Sequence, residues 1–273
     1  MSESLRDHAR AIVESEELEV KLGAPEGPLD DSNPGEPLRI EGPGRPANLR
    51  IVASPGARVP AIGAMADVEQ RLRIVHSFAN HELQATELFA WALLAFPEAP
   101  AAFRRGLLAV LRDEQRHTRM YCARLEAMGA SFGDFPVSGY FWSKIPDITS
   151  PLRFACAMGL TFENANLDHT LDYAQAARDA GDEELAAVID RVHADEITHV
   201  RFGWTWLERW TEADSTPWDT YRANVTWPLR PELARGEPFR EEPRRRAGMR
   251  DDFIERLGTH NEQPRPGRAR GAS

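Results

Sequence analysis

Cysteine is scarce in this chain of 273 residues, which has only Cys122 and Cys156. Two cysteines, both in segments of helical pattern, exclude a disulfide scaffold and are expected as buried reduced thiols of a cytoplasmic protein. Lysine is nearly missing too. Lys21 and Lys144 are the only two, so positive charge sits on arginine, a bias of genome composition. The net charge is −10, which argues against a surface that binds nucleic acid non-specifically. No apolar run is long enough to span a membrane. The N-terminus is polar and acidic and lacks the apolar stretch of a secretory signal, so none is expected. With 28% charged and 42% hydrophobic residues, the composition is that of a soluble globular protein, long enough to bury a sizeable core.

Two short strings stand out against this background: Asp113-Glu114-Gln115-Arg116-His117 and Asp195-Glu196-Ile197-Thr198-His199. Both read D-E-x-x-H. Residues three apart on a helix share a face, so each string aims one carboxylate and one imidazole at the same point. Di-iron and di-manganese helical bundles use this element twice, with one further Glu from each of two other helices. Those extra acids are present. Glu82 precedes Glu114 by 32 residues, and Glu163 precedes Glu196 by 33. An antiparallel helix pair returns to the same height after about that distance, at ~1.5 Å per residue plus a short connection. A single Glu-x-x-His is usually a solvated helix face; two copies with matched upstream acids point to ligands.

The surrounding pattern supplies the helices. A short acidic helix is expected from Ser4 to about Glu19. Residues 23–60 are rich in Pro and Gly and cannot form a regular helix; they read as an extended arm around the domain, with a disordered linker as the competing reading. Four long helices follow, at about 67–96, 101–129, 150–180 and 183–210. Glu82 lies in an apolar stripe with Val75, Phe78, Ala85, Phe89 and Ala92. Ser150-Pro151 reads as a cap and first residue, and Gly129 and Gly181 as stops. The connection at 130–149 is non-helical. About 20 extended residues reach ~65 Å, enough to travel back along a helix of ~42 Å. The fold class is therefore all-α, a ferritin-like four-helix bundle with one long crossover, flanked by irregular extensions. The boundaries are 1–66 for the N-terminal helix and arm, 67–212 for the bundle, and 213–273 for a C-terminal extension. From 228 onward, 11 arginines face 8 acids, a tail suited to an anionic substrate or acidic partner or simply solvated. Its helical content is expected near 250–257 only, with residues 262–273 disordered.

Four inward carboxylates without compensation would exceed the ~5–15 kcal/mol of net stability that a fold possesses. Two divalent cations would neutralise them. Oxygen and imidazole donors suit iron first, with manganese or a mixed pair as alternatives, and the lack of cysteine in the set argues against structural zinc. The metal ligands read from the sequence are Glu82, Glu114, His117, Glu163, Glu196 and His199. Asp195 is expected to orient His117, and Asp113 to orient His199, because a ligating imidazole needs its other N–H held. His193, three before Glu196, is an extra candidate ligand, although a satisfied or exposed histidine is the commoner state. Glu87, five after Glu82, faces elsewhere and reads as a salt-bridge residue. Tyr121 reads as core.

Asp113-Glu114-Gln115-Arg116-His117 resembles the D-E-x-R-H signature of bacterial multicomponent monooxygenases within the ferritin-like di-iron carboxylate superfamily. The span from about Arg45 to Leu257 more closely resembles the bacterial family catalogued as domain of unknown function 455. The resemblance is carried by His81-Glu82-Leu83-Gln84-Ala85, by both D-E-x-x-H strings, and by a tail with Pro228-Leu229-Arg230-Pro231 and Arg245-Arg246-Ala247-Gly248. It implies a fold and a metal site, and no substrate. Thr198 stands where the signature has arginine. The expected function is a di-iron oxidoreductase that activates dioxygen and hydroxylates or oxidises a small substrate, its electron donor open. A homodimer is compatible with this, and no membrane is involved. The alternatives are a protective ferroxidase, a manganese catalase-like enzyme, or a tRNA-modifying hydroxylase, which the acidic charge disfavours.

Overall fold

The computed structural model describes residues 3–53, 55–226 and 228–261. Among them there is no β-strand, only two isolated bridges that tie loops together. The segment 262–273, expected to be disordered, lies outside the described residues. No described helix is long and apolar enough to cross a membrane.

Two short helices come first, α1 (Leu5–Glu14) and α2 (Leu18–Leu22). Ser4 caps α1 as its position implies. The helix stops five residues before the expected Glu19, because Ser15 turns the chain and its hydroxyl accepts the Glu17 N–H (3.0 Å), a local bond that competes with the helix. Then follow α3 (Val68–Ala95) and α4 (Ala101–Ala127). Asp67 caps α3 by accepting the Gln70 N–H at 2.9 Å. Gly129, at φ 84°, takes the left-handed turn that releases the chain from α4.

The third long rod is α5 (Pro151–Phe154), a π-helical stretch (Ala155–Phe162) and α6 (Glu163–Asp179) in continuous succession. Asp182 caps the fourth, α7 (Glu183–Trp210). Among the described residues the C-terminal extension has three α-helices, α8 (Pro217–Asn224), α9 (Glu241–Arg246) and α10 (Asp251–Thr259). The sequence pattern implies only the last. Pro217 starts α8 instead of preventing a helix, since proline fits the first helical turn behind the Thr216 cap.

The π-helical stretch brings its own supports. Thr161 Oγ1 donates to the Cys156 carbonyl (2.8 Å), and the Tyr221 hydroxyl donates to the Leu160 carbonyl (3.2 Å). Gly159 faces Gly203 of α7, and a Cβ on Gly159 would lie 3.0 Å from the Gly203 Cα. Both positions must lack a side chain for these rods to pass so closely.

Helices α3 and α4 form one hairpin, and α6 and α7 another. Across the hairpins, residue 113 of α4 meets 199 of α7 while 117 meets 195, so α4 and α7 run antiparallel. It follows that α4 and α6 run parallel, and the connection between them must return along the molecule. That connection carries a 3-10 turn (Trp142–Asp147). The N-terminal arm lies on α3: the Leu38 N–H donates to the Leu94 carbonyl (2.9 Å), and Trp91 Nε1 donates to the Ile40 carbonyl (3.1 Å). α3 is therefore buried all round from Ala85 to Ala95, more than the single stripe its periodicity implies.

The C-terminal extension docks on α6. Arg244, wholly buried, forks onto both carboxylate oxygens of Asp168 at 2.8 Å each, and the Gly236 and Arg240 N–H groups donate to the same carboxylate. Arg244 is thus withdrawn from any external anion. Of the cysteines, Cys156 is buried and Cys122 half-buried rather than buried, and both are free thiols.

Candidate metal centre

The apolar interior is split. Besides a small cluster of Leu22, Leu49, Leu83 and Val137, one cluster includes Leu88, Leu107, Leu111, Leu160 and Val200, and the other Val75, Tyr121, Leu125, Ala174 and Ile189. Between them lies a polar layer holding Glu82 on α3, Glu114 and His117 on α4, Glu163 at the start of α6, and Glu196 and His199 on α7. None of the six is more than 7% exposed. Two groups of ligand atoms converge there, Glu82 with Glu114 and His117, and Glu114 with Glu163 and His199, each within 4.8 Å. Glu114 belongs to both. His117 Nδ1 lies 3.4 Å from Glu82 Oε2 and 3.5 Å from Glu114 Oε2. His199 Nδ1 lies 3.0 Å from Glu114 Oε1 and 3.6 Å from Glu196 Oε2.

The outer edges of the imidazoles are held across the hairpins. His117 Nε2–H donates to Asp195 Oδ2 and His199 Nε2–H to Asp113 Oδ2, both at 3.2 Å. With Nε2 so engaged, each Nδ1 points into the layer. Arg116 joins the two supports: its guanidinium lies 2.7 Å from Asp113 Oδ1 and 2.8 Å from Asp195 Oδ2. One arginine therefore serves both D-E-x-x-H strings, and Thr198 leaves no gap. Arg116→Ala is expected to weaken metal binding in both groups by roughly 10–100-fold, the usual effect of losing such an outer support. Competitive titration against a chelator measures it; a loss confined to one ion would count against the shared clamp.

Both oxygens of Glu114, Glu196 Oε2, His117 Nδ1 and His199 Nδ1 are buried and make no well-formed hydrogen bond; they face one another, His117 Nδ1 and His199 Nδ1 at 3.5 Å and 3.0 Å from Glu114 and His199 Nδ1 at 3.6 Å from Glu196. Buried polar atoms are nearly always well satisfied, and five that meet only one another, in poor hydrogen-bond geometry, suit a shared cation. Three oxygens and two imidazole nitrogens suit a divalent metal, and these buried Glu and His groups could hold one.

Burial drives the Glu82 and Glu163 carboxyls well above the ordinary carboxylate range, and the charges of Glu114 and Glu196 add to it. Burial would raise Glu114 as well, but the imidazoles of His199 and His117 outweigh it and hold that carboxyl low. Burial opposes charge on both imidazoles, yet their carboxylate neighbours raise both well above the usual histidine value. The metal-free layer thus holds extra protons on Glu82, Glu163, His117 and His199. A cation must displace them, so affinity is expected to rise with pH and binding to release protons into a weakly buffered solution. All four groups have raised values, so the stability of the metal-free protein falls as pH rises above the unfolded Glu and His values. The metal-dependent rise in melting temperature should therefore grow from pH 6 to pH 8; a constant difference would contradict the protonation scheme.

Other sequence candidates sit elsewhere. His193 is outside both groups; its Nδ1 lies 2.8 Å from Thr170 Oγ1. Glu87 is a salt-bridge residue, though a deeply buried one: Arg45 forks onto it, Lys21 Nζ is 3.1 Å away, and Trp142 Nε1 donates to it at 2.8 Å. Sequence reasoning missed Asn166, whose amide donates to Glu196 Oε1 at 3.1 Å. Its position three after Glu163, on the same helical face, was the available signal. It also missed a cavity of about 220 Å³ that reaches Glu82 and Tyr121.

One family model matches residues 4–255, that of "Protein of unknown function (DUF455)". No curated protein and no solved structure matches the chain.

Proposed function

For a chain that belongs to the DUF455 family, whose description names no reaction, we propose the activity its buried layer supports best. It is a di-iron carboxylate oxidoreductase that uses dioxygen to hydroxylate or oxidise a small organic substrate. In this reading the four long rods are a ferritin-like bundle, and the connection from α4 to α5 is its single long crossover. Support comes from the antiparallel α4–α7 contact and from the matched hairpins, each giving one Glu and one Glu-x-x-His.

Glu82, Glu114 and His117 would hold one ion, and Glu163, Glu196 and His199 the other, with Glu114 common to both. A ferrous pair, or an iron–manganese pair, supplies electrons to dioxygen when bound. The protein's own part is positional. Asp113 and Asp195 fix the imidazoles, Arg116 fixes the aspartates, and Asn166 holds one Glu196 oxygen. Two apolar clusters flank the layer and limit its access to the side of the cavity at Glu82.

The observation that carries the reading is the convergence of five buried ligand-type atoms that make no well-formed hydrogen bond. The cavity beside Glu82 separates oxidation of an organic substrate from simple ferroxidase turnover, because aromatic walls are a poor path for a hydrated cation. The test is dioxygen uptake by protein loaded anaerobically with Fe(II). Uptake should cease after one dioxygen per iron pair and resume when a reductant is supplied. Continued oxidation of Fe(II) far beyond two ions per chain would instead support the ferroxidase.

A further inference from the structure

The cavity beside Glu82 has a chemistry of its own. α3 contributes Phe78, His81 and Glu82, and α6 contributes Asn166, His169, Thr170 and Tyr173. These spacings of three, four and seven put each set on one helical face. Phe141 of the crossover and Val59 of the N-terminal arm close the outside. The deep end is buried, at Glu82, Tyr121, Thr170 and Ile189, while Val59 and His169 are exposed at the mouth. Aromatic rings line the passage between them: Phe78 meets Tyr173 edge-on at 4.8 Å and lies 5.5 Å from Tyr121.

Three features define what fits. The lining includes neither lysine nor arginine, and its one carboxylate, Glu82, belongs to the metal layer. Among the described residues the only basic groups of the lining are the imidazoles of His81 and His169, so no permanent cation neutralises an organic anion, and no free carboxylate remains for an organic cation. A cavity of about 150 Å³ admits benzene, so 220 Å³ admits one ring with a short substituent. Tyr121 is only 2% exposed, and its hydroxyl bonds to no described residue, which leaves it for a polar group on a ligand.

We propose that this cavity binds an uncharged, single-ring aromatic molecule bearing a hydroxyl or carbonyl group, with Tyr121 as its hydrogen-bond partner at the deep end. As a substrate assignment this rests on the oxidoreductase reading, since it presents the ring to the layer that Glu82 borders. As a binding site it stands on the cavity alone.

The probes are p-cresol, p-toluate as its anionic counterpart, and toluene, each titrated calorimetrically into the full-length protein before and after anaerobic Fe(II) loading. p-Cresol should bind once per chain, and p-toluate at least tenfold more weakly. Tyr121→Phe should weaken p-cresol about fivefold, the worth of one hydrogen bond, and leave toluene unchanged. Val59→Trp, at the exposed mouth, should reduce binding of all neutral probes without altering the melting temperature. Absence of p-cresol binding to the folded protein, equal binding of p-toluate, or an unchanged p-cresol to toluene ratio in Tyr121→Phe would overturn the proposal. The two readings fail separately. Metal uptake without p-cresol binding sinks the cavity assignment alone, and p-cresol binding to a protein that takes no metal sinks the di-metal reading alone.

Discussion

Glu114→Ala is expected to lose both metal ions together, whereas Glu82→Ala and Glu163→Ala should each impair one. The asymmetry follows from geometry. Glu114 belongs to both converging groups, while Glu82 and Glu163 belong to one each. Glu114 also answers the charge of His117 and His199, so alanine leaves two buried imidazoles without their common counter-charge. The effect should be visible without any assay of activity. A ligand at a thousandfold excess over its dissociation constant stabilises a fold by about 4 kcal/mol. For a chain of this size that corresponds to a rise of about 10 °C in melting temperature. Scanning calorimetry with and without metal should show the rise for the unmodified protein and none for Glu114→Ala. A full metal-dependent rise in the variant would show that Glu114 is not the shared ligand.

Glu87→Gln should be among the most destabilising single changes outside the metal layer. The Glu87 carboxylate is wholly buried, and two cations depend on it: Arg45, 3% exposed, and Lys21, wholly buried. These charges join three separate segments to α3, because Lys21 belongs to α2, Arg45 to the N-terminal arm, and Trp142, also bonded to Glu87, to the crossover. A neutral amide leaves buried charge unpaired, at a cost of about 3–5 kcal/mol. Chemical denaturation should read this as a lower midpoint. The loss should also depend on pH. Burial holds the Lys21 ammonium below its usual value against the opposing pull of Glu87. With that pull gone its value drops further, so the window in which the unfolded chain binds the extra proton widens toward neutrality. Stability rises with pH inside that window. The variant should therefore recover part of its deficit under alkaline conditions, and a deficit independent of pH would refute the pairing.

The polar layer was legible in the sequence because it is written twice. Two D-E-x-x-H strings and two upstream acids at nearly equal distances are local patterns, and helical geometry converts spacing into a shared face. The helix caps at Ser4 and Ser150 were legible for the same reason. The features that escaped are decided by tertiary contact. Arg45 and Glu87 are 42 residues apart, and Asp168 and Arg244 are 76 apart. Arg244 lies in an arginine run that reads as surface, and only a partner on α6 makes it core. The π-helical stretch Ala155–Phe162 is wholly buried and apolar but for Thr161, so its periodicity could not signal the change of winding. Arg116 was visible as part of a motif, but its reach to Asp195 required the antiparallel contact of α4 and α7. His193 shows the converse limit. Its spacing from Glu196 suggests a ligand, yet a hydrogen bond with Thr170 occupies its Nδ1.

The most direct test of the account is metal stoichiometry. The full-length protein is loaded with Fe(II) without oxygen, freed of loosely held ions, and assayed by elemental analysis beside Glu114→Ala. The account predicts two ions per chain in the unmodified protein and essentially none in the variant. An unmodified protein that retains no metal, or a variant that retains two ions, would contradict it.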